Sequence, residues 1–238
     1  MAAIAIVRST SPRLYHQRDV GAQRYARHFE LVACDARPRD VAGYFLWFDT
    51  SGLSVFCDDE RTGVKLKIRD VEQRSNQALI LAQACGARAR PAVVDLMAGW
   101  GVDGLSLALR GCRVTLIERS PMIWAMLDEF VSRLELPVDV VHADARAWCE
   151  STTATVDVVY LDPMFAARSK TALPSKRMQV LRDLAWREEL CVENWIEIAR
   201  ALAKDRVVVK RRSKDPVSIT PDWQVKGRQV RFDVYRTG

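Results

Sequence analysis

The 238-residue chain has no C-x-x-C pair, and nowhere do cysteine and histidine cluster at metal-ligand spacing. Its six cysteines, Cys34, Cys57, Cys85, Cys112, Cys149 and Cys191, are widely scattered. That excludes the paired-ligand zinc modules and supplies no disulfide framework. Several lie in apolar surroundings, where reduced cysteine acts as a small hydrophobe, so a reduced, cytoplasmic chain is expected. No apolar run reaches membrane-spanning length, so a soluble protein without membrane contact is expected. Internal repeats and low-complexity segments are also missing. The first eighteen residues carry arginine and lack acids, as transit peptides do, but Ala2–Val7 alternates and branches like a first strand.

What is present is a modest excess of base, with a formal charge of +6 and a pI near 9.1. That excess permits a polyanionic partner. Two basic groups follow strand-like runs: Arg168, Lys170, Lys176 and Arg177, then Lys210, Arg211, Arg212 and Lys214. An open α/β sheet places its ligand crevice at strand ends. Solvated loop charge is the plainer alternative for each group.

Residues 1–68 have an irregular rhythm and read as a small mixed α/β lobe. Arg18–His28 suggests a short helix. Tyr44–Phe48 and Leu53–Cys57 flank a turn-rich tetrad and suggest a hairpin. Residues 69–238 read as a second domain. Arg69–Cys85 has helical spacing, with Gly86 as its C-cap. Strands are then expected at Ala92–Met97, Arg113–Ile117, Val138–His142, Val156–Leu161 and Arg206–Lys210. Helices are expected at Asp103–Leu109, Met122–Leu134 and Leu190–Leu202, with Ser120 and Pro121 as N-cap and N1. Trp223–Lys226 and Val230–Tyr235 suggest a closing hairpin. This alternation predicts a doubly wound, mostly parallel, Rossmann-like sheet with an antiparallel C-terminal hairpin.

Gly99, Gly101 and Gly104 form G-x-G-x-x-G after the first core strand, and Glu118 ends the next strand where a ribose-binding acid belongs. These two features admit either NAD or S-adenosylmethionine. Asp95 precedes the glycines, where a carboxylate suits a cationic methionine moiety and would repel a pyrophosphate. Asp144 ends the third strand, where it can accept from an adenine amino group. For each acid, capping of a helix or turn is the competing explanation. His142 has the placement of a core histidine more than of a general base. Met97 and Trp100 suit core packing as well as cofactor contact.

Asp162-Pro163-Met164-Phe165 follows the apolar run Val156–Leu161. The carboxylate can accept from an exocyclic amine, the proline stiffens the turn, and Phe165 offers a stacking face. Asp162, Pro163 and Phe165 are therefore the expected catalytic residues of a methyltransferase acting on an amino nitrogen.

These stretches, with Gly111-Cys112-Arg113-Val114, Glu118-Arg119, Tyr160–Phe165, Lys170, Lys176, Arg206–Arg211 and Arg231–Tyr235, resemble the RsmJ family of small-subunit rRNA guanine-N2 methyltransferases. The resemblance runs from about Val93 to Tyr235. It implies a class I methyltransferase fold, S-adenosylmethionine as cofactor, small-subunit rRNA or the small ribosomal subunit as partner, and guanine 1516 of 16S rRNA as target. It places cofactor contacts on Val102, Asp103, Glu118, Arg119, Asp144, Ala145 and Asp162, beside Asp95, Gly99 and Gly101. Phosphate contacts are expected from Arg168, Lys170, Lys176, Arg177, Lys210 and Arg211, and no metal is required. Met97, Trp100 and Val102 depart from the family's usual glycine loop. An NAD-dependent oxidoreductase, a non-catalytic RNA-binding or ribosome-assembly factor, and a methyltransferase acting on another amino group, of DNA adenine or of protein, are the rival readings.

Overall fold

In the computed structural model, the described residues are 13–17, 21–39, 41–57, 63–72, 75–163, 175–185 and 191–237. They fall into two compact units, Met1–Lys65 and Leu66–Gly238. The strand expected at Ala2–Val7 lies outside the described residues.

The first unit is a four-stranded sheet of β1 (Arg13–Gln17), β2 (Glu30–Cys34), β3 (Tyr44–Asp49) and β4 (Gly52–Cys57), in the order β2-β1-β3-β4. β3 and β4 form the expected antiparallel hairpin. Asp49 Oδ1 accepts the Ser51 N–H at 2.8 Å, which fixes the turn. β1 runs parallel to both β2 and β3, and neither β1 nor β2 was expected. The helix expected at Arg18–His28 is a short 3-10 turn, Ala22–Tyr25. Its N-cap residue, Gly21, offers no side chain to cap it, and the chain must cross over to a parallel neighbour. Tyr25 anchors that crossover, edge-on to Phe29 and Phe48. Tyr15, Phe45, Trp47 and Phe56 make the unit's aromatic core.

The second unit opens with α1 (Ile68–Glu72) and α2 (Ser75–Ala84), where a single helix was expected. Gly86, at φ +65°, ends α2 as anticipated. Then follow β5 (Ala92–Asp95), α3 (Val102–Ala108), β6 (Arg113–Glu118), α4 (Pro121–Val131), β7 (Val138–His142), α5 (Ala145–Ser151) and β8 (Val156–Leu161). After them come α6 (Lys176–Ala185), α7 (Val192–Leu202), β9 (Ala203–Arg212), β10 (Trp223–Lys226) and β11 (Val230–Arg236). The seven strands lie in the order β10-β11-β9-β8-β5-β6-β7. β5 to β9 are parallel, while β11 runs antiparallel to both β9 and β10.

Both faces of this sheet are covered, as a parallel sheet requires. Val94, Leu96, Val159, Leu161, Val207 and Val209 pack against Trp195, Ile196 and Ala199 of α7. On the opposite face, Leu116 meets α3 and α4 closely: a Cβ on Gly104 would lie 2.4 Å from Leu116 Cδ2. α5 and α6 were not anticipated. Ala145–Ser151 has no buried residue, and α6 buries only Val180, so neither leaves a strong apolar stripe to read. Ser120 holds the N-cap position of α4 with extended backbone but makes no side-chain capping bond. Pro121 at N1, preset for the first turn, carries that start.

Candidate active site

The C-terminal ends of β5 to β9 surround a cavity of about 400 Å³. Its floor is the β5–α3 turn. Asp95 is buried, and its Oδ1 accepts the Met97 N–H at 3.1 Å. Gly99 (φ +52°) and Gly101 (φ +69°) turn the backbone through the left-handed region that favours glycine. Gly101 closes the turn by donating to Ala98 O at 2.7 Å. A Cβ there would stand 2.5 Å from the buried Leu127 side chain.

Glu118, at the end of β6, clasps this turn. Its Oε2 accepts the Gly99 N–H at 2.8 Å, and its Oε1 accepts the Ser120 N–H at 2.7 Å. Burial pushes its carboxyl up from the ordinary range, and the two backbone donors pull it partly back. Asp95 is pushed well up, first by burial and further by the nearby Asp162 and Asp103 charges, against the Met97 hydrogen bond.

Asp144 lines the cavity and also serves as N-cap of α5, with Oδ1 accepting from Arg146 N and Ala147 N at 3.0 and 3.2 Å. The capping explanation therefore holds for Asp144 without removing it from the site. Val102, Asp103, Arg119 and Ala145 line the same cavity. The Arg119 guanidinium donates to Ala185 O. His142 Nε2 donates to Arg119 O at 3.1 Å, and its ring stacks on Trp124 at 5.0 Å. His142 is half-buried, and its ring is held by these contacts within the fold.

Asp162 and Pro163 line the cavity from the end of β8. Asp162 Oδ2 accepts from Lys210 Nζ at 2.7 Å. Lys210 also donates to Asp103 Oδ2 at 2.5 Å, and that oxygen accepts the Tyr160 O–H at 2.7 Å. Phe165, Arg168 and Lys170 lie outside the described residues.

The basic residues need correction. Lys210 was expected at the end of a strand, with its ammonium against phosphate. The strand runs on to Arg212, and Lys210 is buried within it, 10% exposed, with its ammonium committed to two carboxylates. Arg211 was expected beside it, but successive strand residues face opposite ways. Lys210 and Arg212 line the cavity, and Arg211 does not. Arg177 is engaged within the fold: it pairs with Asp70 at 2.7 Å and lies over the Trp100 ring at 5.4 Å. Lys176, at the start of α6, is exposed.

Sequence reasoning also missed the wall that α6 supplies. Met178, Leu181, Arg182 and Ala185 line the cavity, and Trp100 Nε1 donates to Arg177 O at 3.1 Å. The one signal for the buried place of Lys210 was its position in the expected strand, directly after Val207-Val208-Val209, a run buried on both faces.

A sheet in this order, with a glycine turn after its first parallel strand and acids at the ends of its neighbours, is that of the class I S-adenosylmethionine-dependent methyltransferases. The family described as "Putative SAM-dependent methyltransferase" matches residues 52–237. Ribosomal RNA small subunit methyltransferase J of Pseudomonas paraeruginosa is 39% identical, over 95% of this chain and 96% of that one. Its counterpart from Pseudoalteromonas translucida is 34% identical, over 82% and 85%. Among solved structures, the SAM-dependent methyltransferase NGO1261 of Neisseria gonorrhoeae aligns with a TM-score of 0.71 at 25% identity, covering 94% and 95%. The Thermus thermophilus 16S rRNA N2 G1207 methyltransferase RsmC, in complex with AdoMet and guanosine, shares the fold at a TM-score of 0.52 and 16% identity, covering 87% and 53%. The chain belongs to the ribosomal RNA small subunit methyltransferase J (RsmJ) family of S-adenosylmethionine-dependent methyltransferases.

The residues present fit that cofactor. Positive-φ glycines let a ligand approach the turn backbone. Glu118 lines the cavity beside that turn, and Met97, Trp100, Ile117 and Leu181 give apolar walls. Asp95, Asp103 and Asp162 together place three carboxyl groups against the single Lys210 ammonium that bridges two of them, which opposes a pyrophosphate. Among the described residues no group of three or more His, Cys, Asp or Glu could hold a metal ion, and no helix is long and apolar enough to cross a membrane.

Proposed function

We propose that this chain methylates the N2 amino group of a guanine in small-subunit rRNA, with guanine 1516 of 16S rRNA as the target. The observation that carries the reading is Asp162. It ends β8 at the cavity with 32% of its side chain exposed, and Lys210 holds one of its oxygens. The names of the relatives supply the RNA class.

The bound cofactor supplies an activated methyl on a sulfonium. Catalysis by the protein is then chiefly positioning. Guanine N2 conjugates with its ring and is a poor nucleophile. The Asp162 carboxylate accepts one N2–H, which favours a pyramidal nitrogen with an available lone pair. As the N–C bond forms and the S–C bond breaks, N2 sheds a proton toward that carboxylate and on to solvent. Pro163 stiffens the turn, and Phe165 stacks on the base. Asp95, Gly99, Gly101, Val102, Asp103, Glu118, Arg119, Asp144 and Ala145 form the cofactor side. The guanine must be unpaired or extruded to enter. Arg168, Lys170 and Lys176 contact phosphate, and the reaction takes place in the cytoplasm.

The test is mass spectrometry of nucleosides and of mapped RNase fragments from small subunits lacking the modification, after incubation with the protein and S-adenosylmethionine. N2-methylguanosine at position 1516 is expected. A methyl on another atom or another base would overturn the assignment.

A further inference from the structure

Lys210 loses its expected phosphate and gains a different place. Its ammonium, on β9, joins Asp162 at the end of β8 to Asp103 in the first turn of α3. Tyr160 braces Asp103 from within β8. A buried ammonium persists only where its partners stay charged and well aligned. Burial disfavours the Lys210 charge, yet Asp162 and Asp103 outweigh it and hold the group above the ordinary lysine range.

We propose that Lys210 is a positioning residue for methyl transfer: it clamps Asp162 Oδ2, sets the angle of that carboxylate toward the cavity, and keeps it a hydrogen-bond acceptor. This inference rests on the role proposed above for Asp162. Titratable groups that interact with Asp162 include Asp95, Asp103, Tyr160 and Lys210, and Arg212 lines the same cavity. Lys210 is the cation bonded to Asp162 Oδ2. Without it, Asp162 loses the ammonium bonded to it while the neighbouring Asp103 carboxylate remains, and that like charge raises its affinity for a proton. A protonated Asp162 would offer its O–H to the incoming amine in place of a lone pair. Asp103 and Tyr160 act as the fixed anchor of the clamp.

The test is a double-mutant cycle between Lys210→Met and Asp162→Asn, read as kcat on modification-free small subunits. Lys210→Met alone is expected to lower kcat roughly 10- to 100-fold and to change KM much less, the mark of an interaction made in the transition state. In the Asp162→Asn background the same change is expected to cost less than about twofold, because the two residues act as one unit. Lys210→Arg keeps the charge and is expected to recover part of the rate. In parallel, the Asp162 carboxyl carbon is followed by NMR across pH, its signal assigned by its loss in Asp162→Asn. In Lys210→Met that signal is expected to titrate at higher pH than in the wild type.

An unmoved titration, or equal losses in both backgrounds, would overturn the proposal. A moved titration in a protein that methylates no guanine would uphold the clamp and remove the reaction assigned to it. Should Lys210→Met not fold, Lys210→Gln carries both measurements with the same expected results.

Discussion

The two sides of the cavity are built by different means. On the β5–β6 side, backbone groups do the work. Glu118 takes N–H donors from Gly99 and Ser120, Asp95 takes one from Met97, and glycines hold the turn open. On the β8–β9 side, side chains meet side chains: Lys210 bridges Asp162 and Asp103, and Tyr160 braces Asp103. A backbone-built wall is local in sequence and presents the same shape to any member of the fold. A side-chain wall gathers residues from distant segments and can be given over to one substrate.

Substitutions on the two sides should therefore fail differently. The largest effect belongs to the side-chain wall. Asp162→Ala is expected to lower methyl transfer at least about 10²–10³-fold, the loss typical of one well-placed polar group at a reacting centre. Cofactor affinity, measured by calorimetry, should fall far less. Wild-type turnover in that variant would contradict the division between the walls.

Gly101→Ala attacks the backbone wall. The residue must keep φ +69° and its Cβ must displace Leu127. A stability loss of roughly 2–4 kcal/mol is expected in urea unfolding, together with weaker cofactor binding. A variant as stable as the wild type would show that the turn tolerates a side chain.

Glu118→Gln probes the same wall through pH. Burial raises the folded-state value of Glu118 above its ordinary 4.5. The folded protein thus binds that proton more tightly than the unfolded chain does. The resulting contribution to stability is fully present below pH 4.5 and is lost as pH rises through the folded-state value. Relative to Glu118→Gln, the wild type should lose stability as pH rises through that window. Urea unfolding of both proteins at several pH values checks the slope, and parallel curves would contradict it.

The smallest effect lies outside both walls. Lys176→Glu should weaken RNA binding and reduce the salt slope by about 0.7 for each phosphate contact removed. An unchanged slope would place Lys176 away from the RNA.

The same contrast explains what the sequence could disclose. The strands at Val138–His142, Val156–Leu161 and Trp223–Lys226 were legible to the residue, because β-branched runs ended by turn residues admit few alternatives. The glycine turn was legible because only glycine suits Gly99 and Gly101. The Lys210–Asp103 pair spans 107 positions, and no local spacing records it. Lys210 and Arg177 were read as phosphate ligands because a basic residue near a turn looks the same whether it faces solvent or a buried carboxylate. α6 was missed because it buries so little, and its contribution emerges only where Leu181 closes over Gly99. In the first unit, β1 and β2 escaped notice because two short strands pairing in parallel leave no turn between them to read.

The central claim is that the cavity at the ends of β5 to β9 is a sulfonium-cofactor site. Titration calorimetry of the intact chain with S-adenosylmethionine, S-adenosylhomocysteine and NAD tests it most directly. Binding of the two sulfur ligands without NAD is the predicted result, and binding of NAD alone would contradict it.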